Sequence, residues 1–111
     1  MIKASELKKV IAETGIQCDD VSFDQVDTIQ TPYMVTYDNG VSNFGADGNI
    51  YFQTINKSIE LIDVINVTTN ELKLEKVLLK HGVIFSKDIS YIQNENVKSV
   101  EYTFEVQNDL L

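Results

Sequence analysis

With 111 residues, 43% of them hydrophobic and 23% charged, the chain has the size and composition of one globular domain that buries a core without metal or disulfide staples. A single cysteine, Cys18, excludes an internal disulfide, and 9 basic against 17 acidic residues (formal charge −8) argue against direct nucleic-acid binding, which needs basic side chains to neutralise phosphate. Met1 to Glu6 carry no apolar h-region and no stretch nears the roughly 18 apolar residues that span a bilayer, so neither signal-peptide export nor membrane insertion is expected and the setting reads as intracellular.

Residues 3 to about 14 place Leu7, Val10 and Ile11 at helical spacing, with Ser5 as N-cap and Gly15 as stop. Val21-Ser22-Phe23, between Asp19-Asp20 and Asp24, reads as a short strand or an extended connection. The aromatic and β-branched run Tyr33 to Tyr37 predicts a strand ending at the turn signal Asp38-Asn39-Gly40. A loop through Asn43, Gly45, Asp47 and Gly48 then leads to a strand over Ile50 to Ile55. The short break Asn56-Lys57-Ser58 predicts a hairpin to a further strand, Ile59 to Val67.

Thr68 or Thr69 followed by Glu71 and Glu75 marks the acidic start of a second helix, with Leu74, Val77 and Leu78 as its core stripe and His81-Gly82 as its end. Strands over Val83 to Ile92 and Val97 to Val106 flank a polar turn, Gln93 to Asn96. In the last strand Val100, Tyr102, Phe104 and Val106 alternate with Ser99, Glu101, Thr103 and Glu105, as one buried and one wet face require. The fold class is therefore α+β, a mostly antiparallel sheet with two helices packed on it in the order α-β-β-β-α-β-β.

Chemistry is sparse. One His and one Cys cannot form a structural zinc site. Cys18 with His81 as nucleophile and base is weighed against a structural thiol and a helix-terminal histidine, and the bland reading is preferred. The acidic cluster Asp19, Asp20, Asp24, Asp27 and the Asp38-Asn39-Gly40 and Asp47-Gly48-Asn49 stretches lack the register of a calcium loop. Glu60, Asp63, Glu71, Glu75 and Glu101 could supply a catalytic pair only if the fold converged them, and there is no tryptophan to stack on a sugar. No enzyme activity, metal or cofactor is expected.

The strand from Ile59 to Val67 is different. Ile59, Leu61, Ile65 and Val67 would share a core face, while Glu60, Ile62, Val64 and Asn66 share the other, and a simple wet face would not carry Ile62 and Val64. Either the N-terminal helix or a neighbouring subunit must cover them. With Tyr37 and Tyr51 from the aromatic strands, and Asp38 and Asn39 from the turn, Glu60, Ile62 and Val64 make up the candidate protein interface.

Three stretches carry a family likeness: Asp47 to Tyr51 leading into Ser58-Ile59-Glu60-Leu61, the helix Glu71 to Leu79, and Ile92 to Phe104. With Tyr91-Ile92-Gln93-Asn94-Glu95 and Tyr102-Thr103-Phe104-Glu105 in the C-terminal hairpin, residues 30 to about 106 resemble the small tail-completion (tail-terminator) proteins of siphophages and prophages of low-GC Gram-positive bacteria. Ile62 departs from that pattern, which favours an aromatic or polar residue there. The resemblance implies a virion subunit, present in the host cytoplasm during assembly, that forms a hexameric ring on the tail tube. Its partners would be copies of itself, the tail tube protein and the head connector protein. Competing readings are a head-completion or minor capsid protein, and a monomeric cytoplasmic binding module such as an immunity or inhibitor protein that meets a basic partner.

Overall fold

The computed structural model describes residues 1–19, 31–46, 49–92 and 96–109, the side chains at 19, 44, 46 and 49–51 excepted. Val21-Ser22-Phe23 and most of the Gln93 to Asn96 turn fall outside them. A tight 3-10 turn (Ala4–Glu6) leads into α1 (Leu7–Ala12), followed by β1 (Gln17–Asp19), β2 (Tyr33–Ala46), β3 (Asn49–Val64), α2 (Thr69–Lys80), β4 (Ser86–Ile92) and β5 (Val97–Gln107). These form one five-stranded sheet in the order β1-β2-β3-β5-β4, parallel only between β1 and β2. Class and element order are those read from the sequence.

Several boundaries differ for identifiable reasons. Ser5 is not an N-cap: it lies inside the 3-10 turn, where its amide donates to Asp109 Oδ1 (3.0 Å) and its hydroxyl to Oδ2. Hydrogen bonds to a carboxylate are the stronger option for a short hydroxyl side chain. The expected hairpin at Asn56-Lys57-Ser58 is absent, and β3 runs straight through. Those residues are paired on both sides, Asn56 with Gly40 and Glu105, Ser58 with Tyr37 and Thr103, so two complete ladders outweigh a weak local break. The expected turn at Asp38-Asn39-Gly40 is a β-bulge instead. Asp38 faces Lys57 and Gly40 faces Asn56, leaving Asn39 as the extra residue.

The helix stops are as the glycines promise. Gly82 (φ 73°) closes α2 in a Schellman arrangement, with Gly82 N–H donating to Leu79 O (3.0 Å) and Val83 N–H to Leu78 O (2.9 Å). This draws Val83 out of the expected strand and into the core beside Leu78. Both helices lie on one face of the sheet. Leu7, Val10 and Ile11 of α1 and Leu74 and Leu78 of α2 pack with Met34, Ile55, Ile59, Leu61, Val100, Tyr102, Phe104 and Val106. Leu74, Leu78, Ile59 and Leu61 are wholly buried, each contributing about 1.5–3 kcal/mol.

Candidate protein interface

Strand alternation gives the sheet two different faces. The helix side carries the core together with the sheet lysines. Lys98 is buried against the equally buried Glu71, and Lys87 donates to Glu71 Oε2 (3.0 Å) and Glu75 Oε2 (2.9 Å). Tyr102 donates its hydroxyl to the same Glu75 oxygen (2.8 Å) and meets Phe85 edge-on. Burial by itself would raise Glu71, but the hydrogen bonds from Lys98 and Lys87 prevail and hold its carboxyl below the usual range. Burial likewise opposes the charge on Lys87, and its bonds to Glu75 and Glu71 raise it nonetheless. This network fastens α2 to β4 and β5.

The open side is built otherwise. Glu60 of β3 faces Glu101 of β5, which in turn faces Asp88 of β4, so three carboxylates stand in one row across the sheet. Glu105 shares this face. The lysines of the named strands do not, since Lys57, Lys87 and Lys98 all alternate to the helix side, and only at the margin does Lys3 meet this face, through its bridge to Gln107. Like charges directly opposite one another are destabilising. Partial relief comes from Ser99, which donates to Glu60 Oε1 (2.9 Å), and from Tyr37, whose hydroxyl donates to Glu101 Oε2 (2.8 Å). Burial, followed by that bond to Glu101, pushes the Tyr37 phenol up to about 12.

Of the interface residues read from the sequence, the open face brings together Glu60, Ile62, Val64 and Tyr37. Ile62 lies between Tyr33 and Ser99, and it is buried, as is Val35. The N-terminal helix is not their cover, because Leu7, Val10 and Ile11 belong to the core on the other side. Asn39 joins the open face through its bulge, donating to Ser58 Oγ. Asp38 does not: it turns to the helix side and pairs with Lys57 (2.5 Å). Tyr51 has its backbone in β3, with its side chain outside the described residues.

The carboxylates weighed as a catalytic pair are split. Glu60 and Glu101 lie on the open face, Glu71 and Glu75 beneath α2, and Asp63 holds Asn70 Nδ2 (3.0 Å) and the Val64 amide (2.8 Å). His81 Nε2 is engaged by Glu13 (2.5 Å), and Cys18 is exposed on β1. Sequence reasoning missed the burial of Lys98 and Glu71 and the membership of Asp88 in the acidic row. For Lys98 a signal existed, since it is in phase with Val100, Tyr102 and Phe104.

These features define a two-layer α+β domain, with helices on one side and a carboxylate-bearing sheet face on the other. No family model matches the chain, and neither does any curated protein. Among solved structures, a chain from the "virion of native gene transfer agent (GTA) particle" shares this fold, with a TM-score of 0.62 over 88% of this chain and 82% of that one at 9% identity.

Proposed function

We propose that the chain is a virion structural protein of a phage-like particle, specifically a tail-completion subunit that assembles as a ring on the tail tube and joins it to the head connector. The carrying observation is the fold shared with a chain of a gene transfer agent virion across nearly the whole domain. The open sheet face supports the finer reading. A row of adjacent carboxylates costs stability, and such a local cost is retained where the exposed surface serves another purpose. Turned toward the lumen, Glu60, Glu101, Asp88 and Glu105 let DNA pass without the counterion-release attraction that a lysine belt would create.

The isolated chain is monomeric or weakly associated at micromolar concentration in this reading, and tube ends promote the ring by adding contacts. The test is to produce particles without this chain and image them. Tails of uncontrolled length and tail-free heads are expected, with rescue on resupply; tails of normal length joined to heads would refute the assignment.

A further inference from the structure

We infer that the outer edge of β4 docks an extended segment of another protein, one that alternates apolar with basic residues and adds to the sheet as a further strand. Such a contact serves a virion subunit and any other binding role alike, so it stands apart from the tail-completion reading. One observation about shape and one about charge carry it.

Among the described residues β4 pairs with β5 alone and ends the sheet, and its whole length is exposed. Backbone donors and acceptors along such an edge are a template for another strand, and proteins normally guard it with an outward lysine, a proline or a bulge. Here Lys87 is folded back onto Glu71 and Glu75, proline is absent from the strand, and its register with β5 is unbroken. Ile89 and Tyr91 share the helix side with Lys87 and are 41% and 58% exposed. On α2 the exposed Leu72 and Leu79 lie three residues before and four after Glu75, which grips Lys87, so they continue this apolar surface up the β4 flank of the helix. Of the nine large hydrophobics exposed among the described residues, six fall between Leu72 and Ile92, a concentration that marks a binding surface where single scattered residues would not.

Charge selects the occupant. Asp88 is the other charged residue of β4, and it stands on the open side at the end of the row formed with Glu60 and Glu101. Whatever residue is added opposite Asp88 becomes the next member of that row. A second copy of this chain fits poorly, because pairing β4 with β4 brings two such acidic rows together across the new seam, between chains that each carry a formal charge of −8. A lysine or arginine in that place relieves the row instead, while apolar residues alternating with it pack on Ile89, Tyr91 and the stem of Lys87. Asp88 thus admits strands of one sign and turns away those of the other.

The probe is a blocked, fluorescein-labelled heptapeptide alternating lysine with valine, titrated into the full-length chain at physiological salt, which screens the net charge of the chain. Anisotropy reads binding, and hydrogen exchange followed by NMR locates it. Saturable binding is expected, with exchange slowed about tenfold or more at alternate amides of β4, those pointing outward. The same peptide with glutamate in place of lysine, and the lysine peptide N-methylated at two adjacent central amides, should each bind about tenfold more weakly or worse. Asp88→Lys should narrow the preference for lysine over glutamate about tenfold, and Tyr91→Glu should weaken binding, neither lowering the melting temperature because both side chains are exposed. Absence of binding, either control peptide binding as well as the probe, a preference unmoved by Asp88→Lys, or protection confined to residues away from β4 would overturn the inference. So would β4 amides that become protected in the protein alone as its concentration rises, which would make a second copy the occupant.

Discussion

Replacing Lys98 with methionine tests how α2 is held to the sheet. Lys98 and Glu71 are 4% and 6% exposed at their side chains, and removing one partner of a buried pair typically costs about 3–5 kcal/mol, because the other charge is stranded. Glu71 keeps Lys87 at 3.0 Å, so the loss should fall near the lower end, about 3 kcal/mol. For a domain of this size that lowers the melting midpoint by roughly 12–20 °C. The double variant Lys98→Met with Glu71→Leu removes both charges and leaves Lys87 with Glu75. It should recover most of the loss, to within about 1.5 kcal/mol of wild type, since apolar replacement of a buried pair is often near neutral. Urea unfolding followed by circular dichroism reads all three variants. A Lys98→Met loss below about 1 kcal/mol, or a double variant no better than the single, would refute the reasoning.

Gly82→Ala should cost about 1–2 kcal/mol in the same assay from the left-handed backbone alone, because a Cβ there meets nothing within 4 Å, and a neutral result would contradict the stop described for α2. Glu71 sits below its ordinary value near 4.5, so the stability it confers is complete above that value and is lost as pH falls through the folded one; acid titration of Glu71→Gln should show a shallower decline than wild type. Lys87 is raised above 10.5, so its contribution holds below that value and disappears as pH climbs through the folded one, which Lys87→Met should flatten at the alkaline end. Ile62→Lys should lower stability by about 1–3 kcal/mol, since Ile62 is already buried within one chain; an unchanged melt with failed tail assembly would instead make that face an intersubunit contact.

The parts legible in the sequence were those where local pattern and tertiary fate agree. The α2 stripe of Leu74, Val77 and Leu78, the Gly15 and Gly82 stops and the alternation of β5 all act at the range of a few residues, and the structure keeps them. The misplaced hairpin shows the opposite case. Asn56-Lys57-Ser58 and Asp38-Asn39-Gly40 have turn-like composition, but whether such residues turn or continue depends on the strands beside them, which composition does not contain. Lys98 and Glu71 fit the inward phase of β5 and α2, and their charge disguised it. The acidic row was unreadable for a different reason. Glu60, Asp88 and Glu101 come from three separated segments, and only the registers of β3, β5 and β4 make them neighbours.

The length of β2 and β3 has a dynamic consequence. β5 ends its pairing at Thr54, with one further bond from Asn108 N–H to Gln53 O (2.8 Å), so past that point Phe44 to Ala46 of β2 and Asn49 to Phe52 of β3 form a ribbon of two strands that β5 does not reach. A two-stranded ribbon without a core is marginally stable in water. Its amides should therefore exchange with solvent through local opening, orders of magnitude faster than those of Ile59 and Leu61, which open only with the whole domain. Two strands that outrun a third are thus the part of the sheet whose closure a bound surface would reward most, because holding them shut is the step the isolated domain does least to secure.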